Sequence, residues 1–247
     1  MLDASFVRNQ GFSEGIAGDV AWNELARSGA VESDVVQVSS QVQLRIERLG
    51  RLEAVRQYYN GQIMDGQTDG FRVTAQGNLF YQSKYDVLEA VGEHIFQGKR
   101  AGLDMGFGDG MSTAYMAQYL DSVVGVELDY QKGVRCNGNE RLFEIGSHNI
   151  QVLGSRGHVD TSKVSLVAGD FFELDWSKFD AFYLYWPFVR ESAKGNEERL
   201  QEKFLTEASD GARMVINTNG YEGFSRLMEE QVPQLERHPW VKVFKRS

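Results

Sequence analysis

Apolar residues follow two rhythms along the chain, and the change falls near residue 75. In the first region Val35, Val38, Val42, Leu49 and Leu52 recur at 3-, 4- and 7-residue steps, which sets them along one side of a helix. Val42, Leu44 and Ile46 also alternate as a strand would, so two patterns compete there. An amphipathic helix in this place would cover the region that follows, pair with its copy in a homodimer, or pack on the outside of the core. Gly61 to Asn78 is polar and carries four glycines, which predicts a loop with a short strand at Phe71 to Val73.

From Ser83 the pattern sharpens. Ser83-Lys84-Tyr85-Asp86 resembles a capping box, and Tyr85, Leu88, Val91 and Ile95 continue it as a helix that Gly98 would stop. Gly92 interrupts this run. Short apolar segments then alternate with longer ones: Gly102 to Met105, Val123 to Leu128, Val164 to Ala168, Phe179 to Tyr185 and Ala212 to Ile216. Continuous apolar runs are what parallel strands buried on both faces require, and their alternation with helical lengths predicts an α/β sheet with right-handed crossovers. Trp240 to Phe244 is the one further strand evident near the end. The expected organisation is a mainly helical extension or lid over residues 1–75 and an α/β domain over 76–247.

Bulk properties narrow the setting. In 247 residues there is no run of about 18 apolar positions, and Met1 to Gln10 lacks a signal-peptide pattern, so the expectation is a soluble cytoplasmic protein without a membrane segment. Cys136 stands alone and the four histidines are scattered, which gives no metal-ligand spacing. The formal net charge of −9 argues against nucleic acid as a partner, because phosphate binding needs a clustered excess of Lys and Arg.

The densest chemical signal is Leu103-Asp104-Met105-Gly106-Phe107-Gly108-Asp109-Gly110, followed by a helical run from Met111 to Leu120. A strand here enters a glycine loop and then a helix. Alternate glycines let the backbone turn tightly and approach a ligand where a Cβ would intrude, and the helix start adds free N–H groups. A structural turn would look similar, so two further features matter. Glu127 ends the next apolar run, 23 residues after Asp104, where a carboxylate can accept both hydroxyls of a ribose. Gly169-Asp170-Phe171-Phe172 follows the third run, where an aspartate can accept from an adenine amino group and an aromatic ring can pack on the base. Taken singly, Asp104 is also a candidate helix cap, Glu127 a surface ion-pair partner and Asp170 a turn starter.

Asp104 with Gly106, Gly108 and Gly110, then Glu127, then Asp170 resemble the successive cofactor motifs of class I S-adenosylmethionine-dependent methyltransferases. They occur in order over roughly residues 100 to 218. The resemblance implies a Rossmann-like, mostly parallel sheet flanked by helices, with S-adenosyl-L-methionine as cofactor. It implies that the loop from Asp104 through Phe107 to Gly110 holds the methionine portion, that Glu127 and its neighbour Leu128 bind the ribose, and that Asp170 and Phe171 bind the adenine. Tyr185-Trp186-Pro187-Phe188 would then lie beside the transferable methyl, so Tyr185, Trp186 and Phe188 are expected to line the acceptor site. Amino-methylating relatives carry an Asp or Asn there, followed by Pro-Pro and an aromatic residue. This chain keeps the second proline and the aromatic but not the polar residue, which argues against N-methylation of adenine or cytosine in DNA. The aromatic wall suits a cationic amine or the sulfonium, at about 0.5–2 kcal/mol per cation–π contact.

No catalytic residue is named. Tyr81, Tyr185 and His94 are candidates to take a proton, and Tyr81, in the aromatic segment before Ser83, also resembles the segments that close over the cofactor in some methyltransferases. The acceptor expected from charge is a small molecule or a protein. Three other readings compete: an aminopropyltransferase, which would need acidic residues after the fourth strand; a nicotinamide dehydrogenase, whose G-x-G-x-x-G this loop lacks at the last glycine; and a noncatalytic sensor or scaffold that keeps the pocket.

Overall fold

A computed structural model describes residues 32–61, 71–73, 79–81, 83–127, 142–185, 193–217 and 224–247. The chain divides into two compact units, Met1–Leu49 and Gly50–Ser247. Helix α1 (Glu32–Asn60) begins in the first, so the helical spacing prevails over the strand-like alternation. In that unit Val42, Leu44, Ile46 and Leu49 are 50, 63, 56 and 42% exposed. In the second unit the last turns of α1 bury Leu52, Val55 and Tyr59.

The second unit continues with the antiparallel strands β1 (Phe71–Val73) and β2 (Leu79–Tyr81), so the short strand expected at Phe71 to Val73 is present. Helix α2 (Tyr85–Val91) follows and runs into one π-helical turn, Gly92–Phe96. The expected capping box does not form. Lys84 occupies the N-cap position with no side-chain bond to the helix, while Ser83 is buried and its hydroxyl accepts from Tyr183 Oη at 2.8 Å. A strong tertiary partner has taken the group that a local motif would use. Gly92 has a packing reason: a Cβ there would run into the ring of Tyr119. Gly98, with φ of +83°, ends the helical segment as expected.

The main sheet comprises β3 (Ala101–Met105), β4 (Ser122–Glu127), β5 (Val164–Ala168), β6 (Ala181–Tyr185), β7 (Arg213–Asn217) and β8 (Val241–Lys245). Helices α3 (Met111–Met116), α4 (Leu142–Ser155) and α5 (Ala193–Glu207) lie between strands in sequence. Strand order is β5-β4-β3-β6-β7-β8, parallel throughout except for β8, which runs antiparallel to β7. The chain therefore starts in the middle, winds outward through β4 and β5, returns to β6 and winds the other way. This is the Rossmann-like arrangement, and its order reverses between β3 and β6.

Side-chain alternation along the strands divides the core into two layers. Leu103, Met105, Phe182, Leu184, Met214 and Ile216 join Leu200 and Phe204 of α5 in one cluster. Tyr183 and Val215 join the last turns of α1, α2, α3 and α4 in the other. The helix expected to reach Leu120 is regular only to Met116, and residues 117–119 form a tighter turn with Gln118 and Tyr119 bonded three residues back. Strand β5 departs from full burial: Ser165 and Ala168 are exposed, because β5 is an edge strand paired only with β4.

Candidate active site

Open parallel sheets bind ligands at the carboxyl ends of their strands, beside the point where strand order reverses. Here that edge is formed by Met105, Glu127, Ala168 and Tyr185, and the glycine loop leaves β3 directly into it.

The loop is anchored on several sides. The N–H groups of Gly106 and Phe107 both donate to Val126 O, at 2.8 and 3.3 Å, and Gly108 N–H donates to Glu127 Oε2 at 2.8 Å. Tyr59 Oη from α1 and Asn149 Nδ2 from α4 both donate to Asp109 O, at 3.0 and 2.9 Å. The Asp109 carboxylate accepts from Met111 N–H at 3.1 Å, an Asx turn leading through the N-cap Gly110 into α3. Gly106, Gly108 and Gly110 have φ of +80, +54 and +87°, backbone that L side chains rarely adopt. Their surroundings differ. A Cβ on Gly110 would meet Gly146 O at 3.0 Å, so this glycine serves helix packing. At Gly106 and Gly108 no described atom lies within 4 Å of a Cβ position.

Asp104 lies beneath the loop, 1% exposed, and accepts from Ser112 Oγ at 2.7 Å and Thr113 Oγ1 at 2.6 Å. Burial pushes its pKa up to about 6, against the two hydroxyl bonds that favour the anion. It therefore ties β3 to the first turn of α3. Phe107 is buried against Phe143 of α4, with ring centroids 5.8 Å apart. Glu127, 8% exposed, ends β4 with its carboxylate on the loop.

The β5 end is anchored from the core side, with Trp176 Nε1 donating to Phe171 O at 2.9 Å. Asp170 Oδ1 accepts from Phe172 N–H at 2.9 Å and starts the turn Phe171–Glu173. Phe171 is buried within the second core layer, 4.5 Å from the ring of Phe172. Tyr185 ends β6 half-buried. Tyr81 is the last residue of β2, and His94 is exposed. Leu128, Trp186 and Phe188 lie outside the described residues.

The structure thus brings Asp104, Gly106, Phe107, Gly108, Gly110, Glu127, Asp170 and Tyr185 to or just beneath one edge of one sheet. Sequence reasoning missed Tyr59 and Asn149, which carry no motif. It also missed Gly146, whose Cβ would collide with Phe107 and with Gly108 O; an isolated glycine inside a helical run was the available signal. Asn217, 4% exposed, ends β7 as Glu127 ends β4, and could have been found by the same rule. Among the described residues no cluster of His, Cys, Asp and Glu could hold a metal, and no helix is long and apolar enough to cross a membrane.

Strand order and the glycine loop at the carboxyl edge together define a Rossmann-like fold with its ligand-binding edge at Met105, Glu127, Ala168 and Tyr185. Several solved structures align with the chain. An RNA methyltransferase from Salinibacter ruber in complex with S-adenosyl-L-homocysteine aligns at 16% identity and a TM-score of 0.45, over 67% of this chain and 92% of that one. A methyltransferase from Geobacter sulfurreducens aligns at 14% identity and 0.47, over 84 and 96%. An rRNA methylase from Streptococcus thermophilus aligns at 19% identity and 0.37, over 55 and 71%. No family model and no curated protein matches the sequence.

Proposed function

We propose that the chain binds S-adenosyl-L-methionine across the carboxyl edge of β3, β4 and β5 and transfers its methyl group to a small-molecule or protein acceptor. One observation carries the reading: the glycine loop leaves the central strand at the carboxyl edge where strand order reverses, and the buried Glu127 carboxylate at the end of β4 accepts from its Gly108 N–H. Positive φ and open surroundings alone do not distinguish it, since Gly98, Gly157 and Gly211 share both at ordinary turns.

The residues fit such a cofactor. A carboxylate accepts several hydrogen bonds, so Glu127 can hold Gly108 N–H and still accept ribose hydroxyls. The loop backbone would receive the methionine portion, and Asp170 the adenine amino group. When bound, the sulfonium supplies an already activated methyl carbon, so transfer is an in-line displacement. This chain's part is then alignment and exclusion of water, and Tyr185 at the end of β6 stands where an acceptor would be aligned. The net charge of −9 favours a small-molecule or basic protein acceptor over nucleic acid.

Calorimetric titration of the purified protein with S-adenosylmethionine and S-adenosylhomocysteine tests this directly. Saturable binding weakened by Glu127→Ala and by Asp170→Ala, in variants that fold, supports the reading. A folded wild type that binds neither compound overturns it.

A further inference from the structure

Arg199 of α5 reaches the turn after β5 in an arrangement that holding two elements together does not explain. Its guanidinium lies 4.3 Å over the ring of Phe172, with Nη1 3.7 Å from Asp170 Oδ2 and Nη2 3.7 Å from Glu173 Oε1. Both nitrogen–oxygen distances exceed hydrogen-bond length, so charge attraction and stacking place the group without consuming its donors. A pair built to join elements looks different in the same molecule. Arg213 of β7 grips Glu230 with two hydrogen bonds of 2.9 and 2.7 Å, both side chains only about a quarter exposed. The Arg199 side chain is 50% exposed, at the rim and not in the core.

Beside it, Asp170 is an acceptor whose position is fixed by the Phe172 amide. A carboxylate acceptor next to a cationic planar donor complements the edge of a 6-aminopurine, where an amino group donates and the flanking ring nitrogens accept. We propose that Arg199 reads the base of the bound nucleoside, donating to N1 or N7 while Asp170 accepts from the 6-amino group. The inference rests on the cofactor reading above and adds a specificity-determining residue to it.

The test is a cycle between protein and ligand. S-adenosylhomocysteine and its 1-deaza and 7-deaza analogues are titrated into the wild type and Arg199→Met, whose unbranched stem still covers Phe172. Loss of a hydrogen bond from a charged donor should weaken S-adenosylhomocysteine about tenfold in R199M. The analogue lacking the nitrogen that Arg199 reads should already bind the wild type about tenfold more weakly and lose nothing further in R199M. If R199M proves unstable, Arg199→Leu, which also removes every donor while keeping an apolar stem over Phe172, is read the same way. Equal weakening of all three ligands would mean that Arg199 acts only by positioning Asp170, and no weakening would mean that it touches nothing; either result overturns the proposal. Absence of binding to folded wild type is the separate failure of the cofactor reading itself.

Discussion

The glycine loop after β3 and the turn after β5 sit on the same edge of the sheet and are built in opposite ways. The loop is held by β4, α1 and α4 together, with Asp104 and Glu127 both buried beneath or beside it. The β5 turn is held from below, by buried Phe171 and Phe172 and by Trp176 Nε1 donating to Phe171 O, while the Asp170 and Arg199 side chains above it are partly exposed. The first region is arranged before any ligand arrives, so binding there loses little conformational entropy. In the second, only the partly exposed Asp170 and Arg199 side chains stand outside the core, so substitutions at these two should affect ligand preference more than folding.

The contrast can be broken most severely at Asp104. Its folded pKa is raised from 3.8 to about 6, so the folded state keeps a proton that the unfolded state has released between those values. Stability from this group should therefore fall as pH rises from about 4 to about 6 and stay level above, by about 3 kcal/mol at most. Asp104→Asn keeps an acceptor for Ser112 and Thr113 and should remove this slope. Urea unfolding of both proteins across pH 4 to 7 measures it, and parallel curves would mean that Asp104 titrates alike in both states. Gly146→Ala should come next: its Cβ would stand 2.6 Å from Gly108 O, and the displacement should cost about 1–3 kcal/mol and disturb the loop. Thermal melting reads the first effect and cofactor titration the second. At the other end Asp170→Ala removes a cap from a single turn and an exposed ion pair, so it should cost under about 1 kcal/mol while weakening nucleoside binding. A larger stability loss there than at Gly146 would reverse the contrast.

Much of this arrangement was legible in the sequence because its cause is local. Five apolar runs form strands, and Glu127 ends one of them at the carboxyl edge of the parallel sheet. What was not legible depends on partners far along the chain. Ser83 has the residue type and spacing of a helix cap, but Tyr183 lies a hundred positions away and claims its hydroxyl. Tyr59 and Asn149 reach the same carbonyl from two helices, which no spacing rule connects. Arg199 carries no motif, and the fold alone sets it over Phe172.

The Tyr183 to Ser83 hydrogen bond also orders events in time. Tyr183 is a register neighbour of Asp104 in the middle of the sheet, so its hydroxyl reaches Ser83 only after β6 has inserted beside β3. In a chain emerging from synthesis, β3, β4 and β5 can pair while the start of α2 is still untethered. The start of α2 is therefore tethered through Ser83 only after Tyr183 has been made and placed. Contacts of such sequence separation form more slowly than local ones.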